Sequence, residues 1–130
     1  MPARTVEELL AAARAQLERL TPLDAAERQR HGALLVDVRL EEQRLRDGTV
    51  PDAHVIALNH LEWRLDPSSS SRIPAARDHE VEVVLLCDEG YCSSLAAARL
   101  HALGLQRATD VVGGFQAWRA AGLPVGVVEK

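Results

Sequence analysis

Lysine is almost missing from this chain: of its 15 basic residues only Lys130 is a lysine, the rest being arginine. Acidic residues outnumber basic ones, giving a net charge of -4 and a sequence pI near 5.7. Nucleic acid, which needs a basic patch, is thereby excluded as the main partner. There are only two cysteines, Cys87 and Cys92, set close together, whereas a disulfide-stapled secreted scaffold scatters more of them. No apolar run approaches the ~18 residues of a membrane span. The first residues lack the charged-then-apolar layout of a signal peptide, so a cytoplasmic protein with reduced thiols is expected. Composition also excludes disorder, with 47% apolar and 26% charged residues. At 130 residues the chain predicts one domain able to bury roughly two-thirds of its unfolded surface without a metal or disulfide.

Helical spacing of Val6, Leu9, Leu10, Ala13, Leu17 and Leu20 predicts an amphipathic helix over 5–20, opened by a Thr5/Glu8 capping box. Its charged residues Glu7, Glu8, Arg14 and Glu18 read as a solvated face. Its apolar stripe either packs on the domain or mediates a homodimer. Thr21-Pro22-Leu23-Asp24 starts a second helix. Residues 1–20 are thus expected to form an N-terminal helical extension and 21–130 the domain proper. Four short segments rich in Val, Leu and Ile predict strands buried on both faces: Leu34–Val38, Val55–Leu58, Val81–Leu86 and Asp110–Val112. Helices are expected at 41–46, 61–65, 93–103 and 115–121. Strand–helix alternation predicts an α/β fold with a mainly parallel sheet. The polar stretch 66–79, with two prolines, reads as a surface loop.

The segment from Val81 to Arg99 carries the chemistry. A buried strand ends on Cys87, and a short loop holding Gly90 leads into a helix near Ser93. Ligands of open α/β sheets bind outside the carboxyl ends of the strands, where Cys87 falls. Backbone N–H groups and the positive end of the helix dipole should face its sulfur and favour the nucleophilic thiolate. Gly90 lets the backbone curl so that several amides converge on one anion. Asp88 and Glu89 oppose this: a carboxylate ~6 Å away costs ~3 kcal/mol at a dielectric of 20, and under ~1 kcal/mol facing water. Their side chains must therefore turn outward. The alternative is that Cys87 is merely a small buried hydrophobe at a strand end.

Cys87-Asp88-Glu89-Gly90-Tyr91-Cys92-Ser93-Ser94 resembles the active-site loop of the rhodanese family. Leu35-Val-Asp37-Val-Arg39 followed by Gly48-Thr-Val-Pro51-Asp-Ala53-His-Val-Ile56 is similar to that family's N-terminal signature. Val112-Gly113-Gly114-Phe-Gln-Ala-Trp118-Arg-Ala-Ala-Gly122-Leu-Pro124 is similar to its C-terminal one. Together these span roughly residues 33–124 and look most like single-domain bacterial members. The resemblance implies a three-layer α/β/α fold with a sheet of about five strands. It implies a sulfurtransferase in which Cys87 takes the outer sulfur of thiosulfate or a persulfide or polysulfide. That sulfur then passes to cyanide or a thiol, with no metal or organic cofactor. Residues 88–93, with Arg39, are the implied substrate-binding set. The partners implied are small sulfur donors and acceptors, or a protein acceptor.

Three departures stand out. The loop's sixth position, often Arg in the family, is Cys92, and no loop residue is basic, so anionic thiosulfate should bind weakly. Asp52 replaces a usual glycine. Cys92 is either a first-turn helix residue or a second thiol that resolves the persulfide. A phosphatase of related fold needs an arginine where Ser93 stands, which sets that reading aside; a non-catalytic binding module remains the alternative. Asp37 and Arg39 either lend charge to the pocket or fix loops by a charged hydrogen bond. Gly113-Gly114 reads as a tight turn, lacking the rest of a phosphate loop. Trp63 and Trp118 are expected in the core or pocket wall. The histidines at 31, 54, 60, 79 and 101 show no metal-ligand spacing with either cysteine, and His101 is expected on the solvent side.

Overall fold

Local capping chemistry sets the helices of the computed structural model, which describes residues 2–128. Thr5 opens α1 (Val6–Ala15): its hydroxyl accepts from the Glu8 N–H at 3.1 Å, and its own N–H donates to the Glu8 carboxylate at 2.9 Å. The helix stops at Ala15 and does not reach residue 20. Beyond it the chain is drawn onto the sheet edge, where the Leu20 N–H donates to the Asp110 carbonyl and the Leu20 carbonyl accepts from Val112. Thr21 caps α2 (Pro22–Arg30), with Pro22 at the first helical position.

Then follow β1 (Leu34–Asp37), α3 (Glu41–Asp47), β2 (His54–Val55), a 3-10 turn at Leu58–His60, α4 (Leu61–Leu65) and β3 (Val83–Leu86). The chain continues through α5 (Cys92–Ala102), β4 (Ala108–Asp110) and α6 (Gly114–Ala120). Among the described residues the sheet has four parallel strands in the order β2-β1-β3-β4. The fifth place is taken only by the single bridge between Leu20 and Val111. Asp52, in the turn before β2, adopts φ +66, which explains why glycine is at home there.

Both central strands are buried on both faces, and alternate residues feed two separate cores. Leu34, Val36, Val83 and Leu85 meet Leu61 and Leu65 of α4 and Ala96, Ala97 and Leu100 of α5. Leu35, Val84 and Leu86 meet Ala25 and Ala26 of α2 and Phe115 and Trp118 of α6. The result is three layers, helices–sheet–helices, with α1 lying outside against α5.

Two expectations need correcting. The stretch 66–79 is irregular but not wholly superficial, because its Ile73 and Ala76 are buried in the first core. Trp63 lies neither in the core nor in a pocket wall: it is 62% exposed on the short α4, whose buried face is already filled by Leu61 and Leu65. No described helix is long and apolar enough to cross a membrane.

Candidate active site

β1 lies between β2 and β3, while β3 carries β4 on its other side. The chain leaves β1 and β3 in opposite directions, and the crevice at their carboxyl ends is the switch point where α/β folds bind ligands. A cleft of about 1070 Å³ opens there, lined by Val38, Leu40, Val55, Leu58, Tyr91 and both cysteines among others. Cys87, the first residue after β3, sits at its floor with 4% of its surface exposed. None of the described histidines lines it, so the structure provides no Cys–His pair there.

The loop from Cys87 to Cys92 curls as expected. The Gly90 N–H donates to the Cys87 sulfur at 3.1 Å, and the Ser93 hydroxyl lies 3.2 Å from it. Gly90 has φ +86, and a β-carbon there would come within 2.8 Å of the Gly113 nitrogen, so only glycine serves. The loop is tied to the first turn of α6, where the Phe115 and Gln116 amides donate to the Cys87 and Asp88 carbonyls at 2.8 and 3.1 Å. Asp88 is held away from the sulfur, its carboxylate accepting from Gln116 Nε2 at 2.9 Å, and Glu89 is exposed. Both residues border the same cleft as Cys87, with neither carboxylate hydrogen-bonded to its sulfur among the described residues.

Cys92 opens α5 with an exposed side chain beside Cys87. Its thiol hydrogen bond lowers the Cys87 thiol from 9.0 to about 5 against the opposing effect of burial, helped by the Ser93 hydroxyl and the Ser93 and Gly90 amides. The same bond, with burial and the neighbouring thiolate charge, pushes Cys92 up. Of the two thiols, Cys87 ionises and Cys92 keeps its proton.

Arg39 does not present its charge to solvent. Its guanidinium, fully buried, bonds the Asp37 carboxylate at 2.8 Å and the Gly48 carbonyl at 2.8 Å, and stacks over the Phe115 ring at 3.8 Å. It brackets the ends of β1 and α3, the second of the two roles its sequence context allowed. Basic residues reach the cleft from elsewhere: Arg44 from α3 and Arg99 from α5. Arg99 is paired with Glu62, whereas Arg44 donates to the Arg39 carbonyl. Trp118 is buried, donating to the Pro124 carbonyl. His101 is half-buried and not on the solvent side, because its ring bonds the Ala108 carbonyl.

Sequence reasoning missed what lies behind the loop. Asp110, at the end of β4, is fully buried and accepts from both the Ser93 and Ser94 hydroxyls at 2.7 Å. An aspartate beside Val111 and Val112, in a segment otherwise suited to burial, was the available signal. Arg19 completes that site through Nε to Asp110 Oδ1 at 2.8 Å. Arg14, read from sequence as part of a solvated face, instead donates to the Gly90 carbonyl at 2.7 Å and to Ser94 at 3.1 Å. No cluster of potential metal ligands occurs among the described residues.

Comparison with known proteins identifies the family. A family model described as a rhodanese-like domain matches residues 21–121. Thiosulfate sulfurtransferase GlpE of Pseudomonas savastanoi pv. phaseolicola is 32% identical over 105 residues, 81% of this chain and 90% of that one. A Rhodopseudomonas palustris protein of unknown function, described as a possible tyrosine phosphatase, superposes with a TM-score of 0.84. It is 31% identical, and the match covers 96% of this chain and 98% of that one. The homodimeric polysulfide-sulfur transferase of Wolinella succinogenes shares the fold, with a TM-score of 0.71, 23% identity and coverage of 95% and 88%.

Proposed function

The chain belongs to the rhodanese family as a sulfurtransferase of that type, and on this premise we propose that Cys87 carries sulfane sulfur between a donor and a thiophilic acceptor. The observation that supports this most is the Cys87 sulfur at the floor of an open cleft, accepting from the Gly90 amide at 3.1 Å in a setting that lowers its thiol pKa. The Cys87 thiolate attacks the outer sulfur of thiosulfate, the S–S bond breaks, and sulfite leaves with the bonding pair. With an organic persulfide the departing group is the donor's thiolate. Either route leaves a persulfide whose terminal sulfur is anionic, and the Gly90 amide already on the Cys87 sulfur supports a role for loop N–H groups in stabilising it. Cyanide or a thiolate then attacks that terminal sulfur and regenerates the Cys87 thiolate. Residues 88–93 form the cradle, chiefly through backbone.

The cleft volume favours donors or acceptors larger than thiosulfate or cyanide, since sites of ~300–1,000 Å³ suit organic ligands of many atoms. Phosphoryl transfer finds no support, because the loop ends on Ser93 where a phosphate-holding arginine is needed. A non-catalytic binding role is disfavoured by the same lowered thiol. The test is a sulfur-transfer assay with thiosulfate, polysulfide and an organic persulfide, run on wild type and Cys87→Ser. Transfer by wild type and none by the variant is expected; equal rates, or no transfer from any donor, would refute the reading.

A further inference from the structure

Asp110 places a buried negative charge directly behind a sulfur that must itself become negative. Its carboxylate and the Cys87 sulfur are bridged by one hydroxyl, Ser93 Oγ, 2.7 Å from the first and 3.2 Å from the second. The two groups therefore stand within about 6 Å of each other, where a negative carboxylate opposes ionisation of the thiol. Asp110's field reaches this loop already, being among the causes that keep the Cys92 proton in place. Ser93 also has only one proton, and Asp110 and the thiolate compete for it.

The remedy comes from the segment ahead of the domain. Arg19 spans both Asp110 oxygens, Nε to Oδ1 at 2.8 Å and Nη2 to Oδ2 at 3.3 Å, and the same Nη2 reaches the Gly90 carbonyl at 3.1 Å. Arg14, on the last turn of α1, donates to that carbonyl at 2.7 Å and lies over the Tyr91 ring at 5.6 Å. Both arginines precede residue 21, where the family match begins. We propose that Arg19, assisted by Arg14, is a positioning residue for the sulfur carrier. It neutralises Asp110 and fixes the Gly90 peptide, so that the extension before the domain completes the electrostatic setting of Cys87.

With the thiol protonated the Ser93 hydroxyl donates to Asp110; Arg19 and Ser94, by also satisfying that carboxylate, lower the cost of turning the Ser93 proton toward the sulfur once it ionises. Without Arg19, Asp110 retains that proton and presents an unneutralised charge. The remaining charged or titratable groups around the sulfur do not replace it. Asp88 and Glu89 carry the wrong sign, Cys92 keeps its proton, and Tyr91 brings no cation. Arg39 is committed to Asp37, Arg99 to Glu62, and Arg44 to the Arg39 carbonyl on the other wall of the cleft.

This inference rests on the reading of Cys87 as sulfur carrier, but its test reads thiol ionisation and not transfer. The rate of Cys87 alkylation by iodoacetamide is followed against pH, by peptide mass spectrometry, in the full chain. Wild type is expected to show a midpoint at about 5. Arg19→Met should raise the midpoint by about one pH unit or more, and adding Asp110→Asn should bring it back down. Arg14→Met, which leaves Asp110 paired, should move it less, and it serves should Arg19→Met fail to fold. An Arg19→Met profile that overlays wild type, a double variant left at the raised midpoint, or an Arg14→Met profile shifted as far as Arg19→Met would overturn the proposal. A wild-type thiol that ionises only near its ordinary range would instead sink the carrier reading.

Discussion

Gly114 sits against Cys87 so closely that a β-carbon at 114 would fall 2.5 Å from the Cys87 carbonyl oxygen. Asp88 backbone atoms would lie 2.8 Å away, and Gly114 itself adopts φ +58. The start of α6 is thus pressed onto the loop that carries the thiol, and Phe115 and Gln116 bond it there. Gly114→Ala should cost about 2–3 kcal/mol of stability through clash and strain. It should also displace the Cys87 carbonyl and slow sulfur transfer in the fraction that remains folded. Denaturant titration beside a transfer assay checks both; wild-type values in each would show that the close approach is slack.

Removing the Cys92 thiol tests the principal cause of the lowered Cys87 thiol. Cys92→Ala should move the alkylation midpoint of Cys87 from about 5 back toward 9.0. At a pH between those values the alkylation rate should drop by at least about tenfold, one pH unit being a factor of ten in thiolate. The sign for stability follows from the same depression. Relative to Cys87→Ser, wild type should gain stability as pH rises from about 5 toward 9.0 and lose that gain as pH falls back to about 5. A stability difference that is flat across this window would contradict the lowered value.

Thiosulfate turnover should be detectable but weak in wild type, because no basic residue stands in the loop itself. Cys92→Arg places a cation where sulfite departs and should lower the KM for thiosulfate. A slower reaction with thiosulfate would contradict the charge argument.

Asp37 and Arg39 form a fully buried pair, with Arg39 Nη1 left without a partner among the described residues. Asp37→Ala strands the arginine charge and should cost about 3–5 kcal/mol. Denaturant titration is the measurement. A loss below about 1 kcal/mol, the range of exposed pairs, would show that the bracket between β1 and Gly48 contributes little.

Much of the fold is legible in the residues because its signals are local. Thr5 with Glu8, and Thr21 with Pro22, announce helix starts, and the Val- and Leu-rich runs at 34–38 and 81–86 announce buried strands. The loop is legible because Cys87 and Gly90 carry its chemistry and conformation within a few positions. What escaped notice depends on distant parts of the chain meeting. Arg14 looks solvated in sequence and Arg19 carries no signal there; the packing of α1 on α5 brings the first to Gly90, and the Leu20–Val111 bridge brings the second to Asp110. Helix periodicity likewise ran past Ala15 because Leu17 and Leu20 keep the spacing while in fact reaching the core and the sheet edge. Trp63 shows the converse: a large apolar side chain left outside because a five-residue helix has room to bury only one face.

The most direct measurement is intact-protein and peptide mass spectrometry after brief exposure to polysulfide, an organic persulfide or thiosulfate, followed by addition of cyanide. The expected result is a gain of one sulfur atom confined to the peptide bearing Cys87, lost on cyanide addition with stoichiometric thiocyanate. A protein that gains no sulfur from any of the three, or gains it equally in Cys87→Ser, would contradict it.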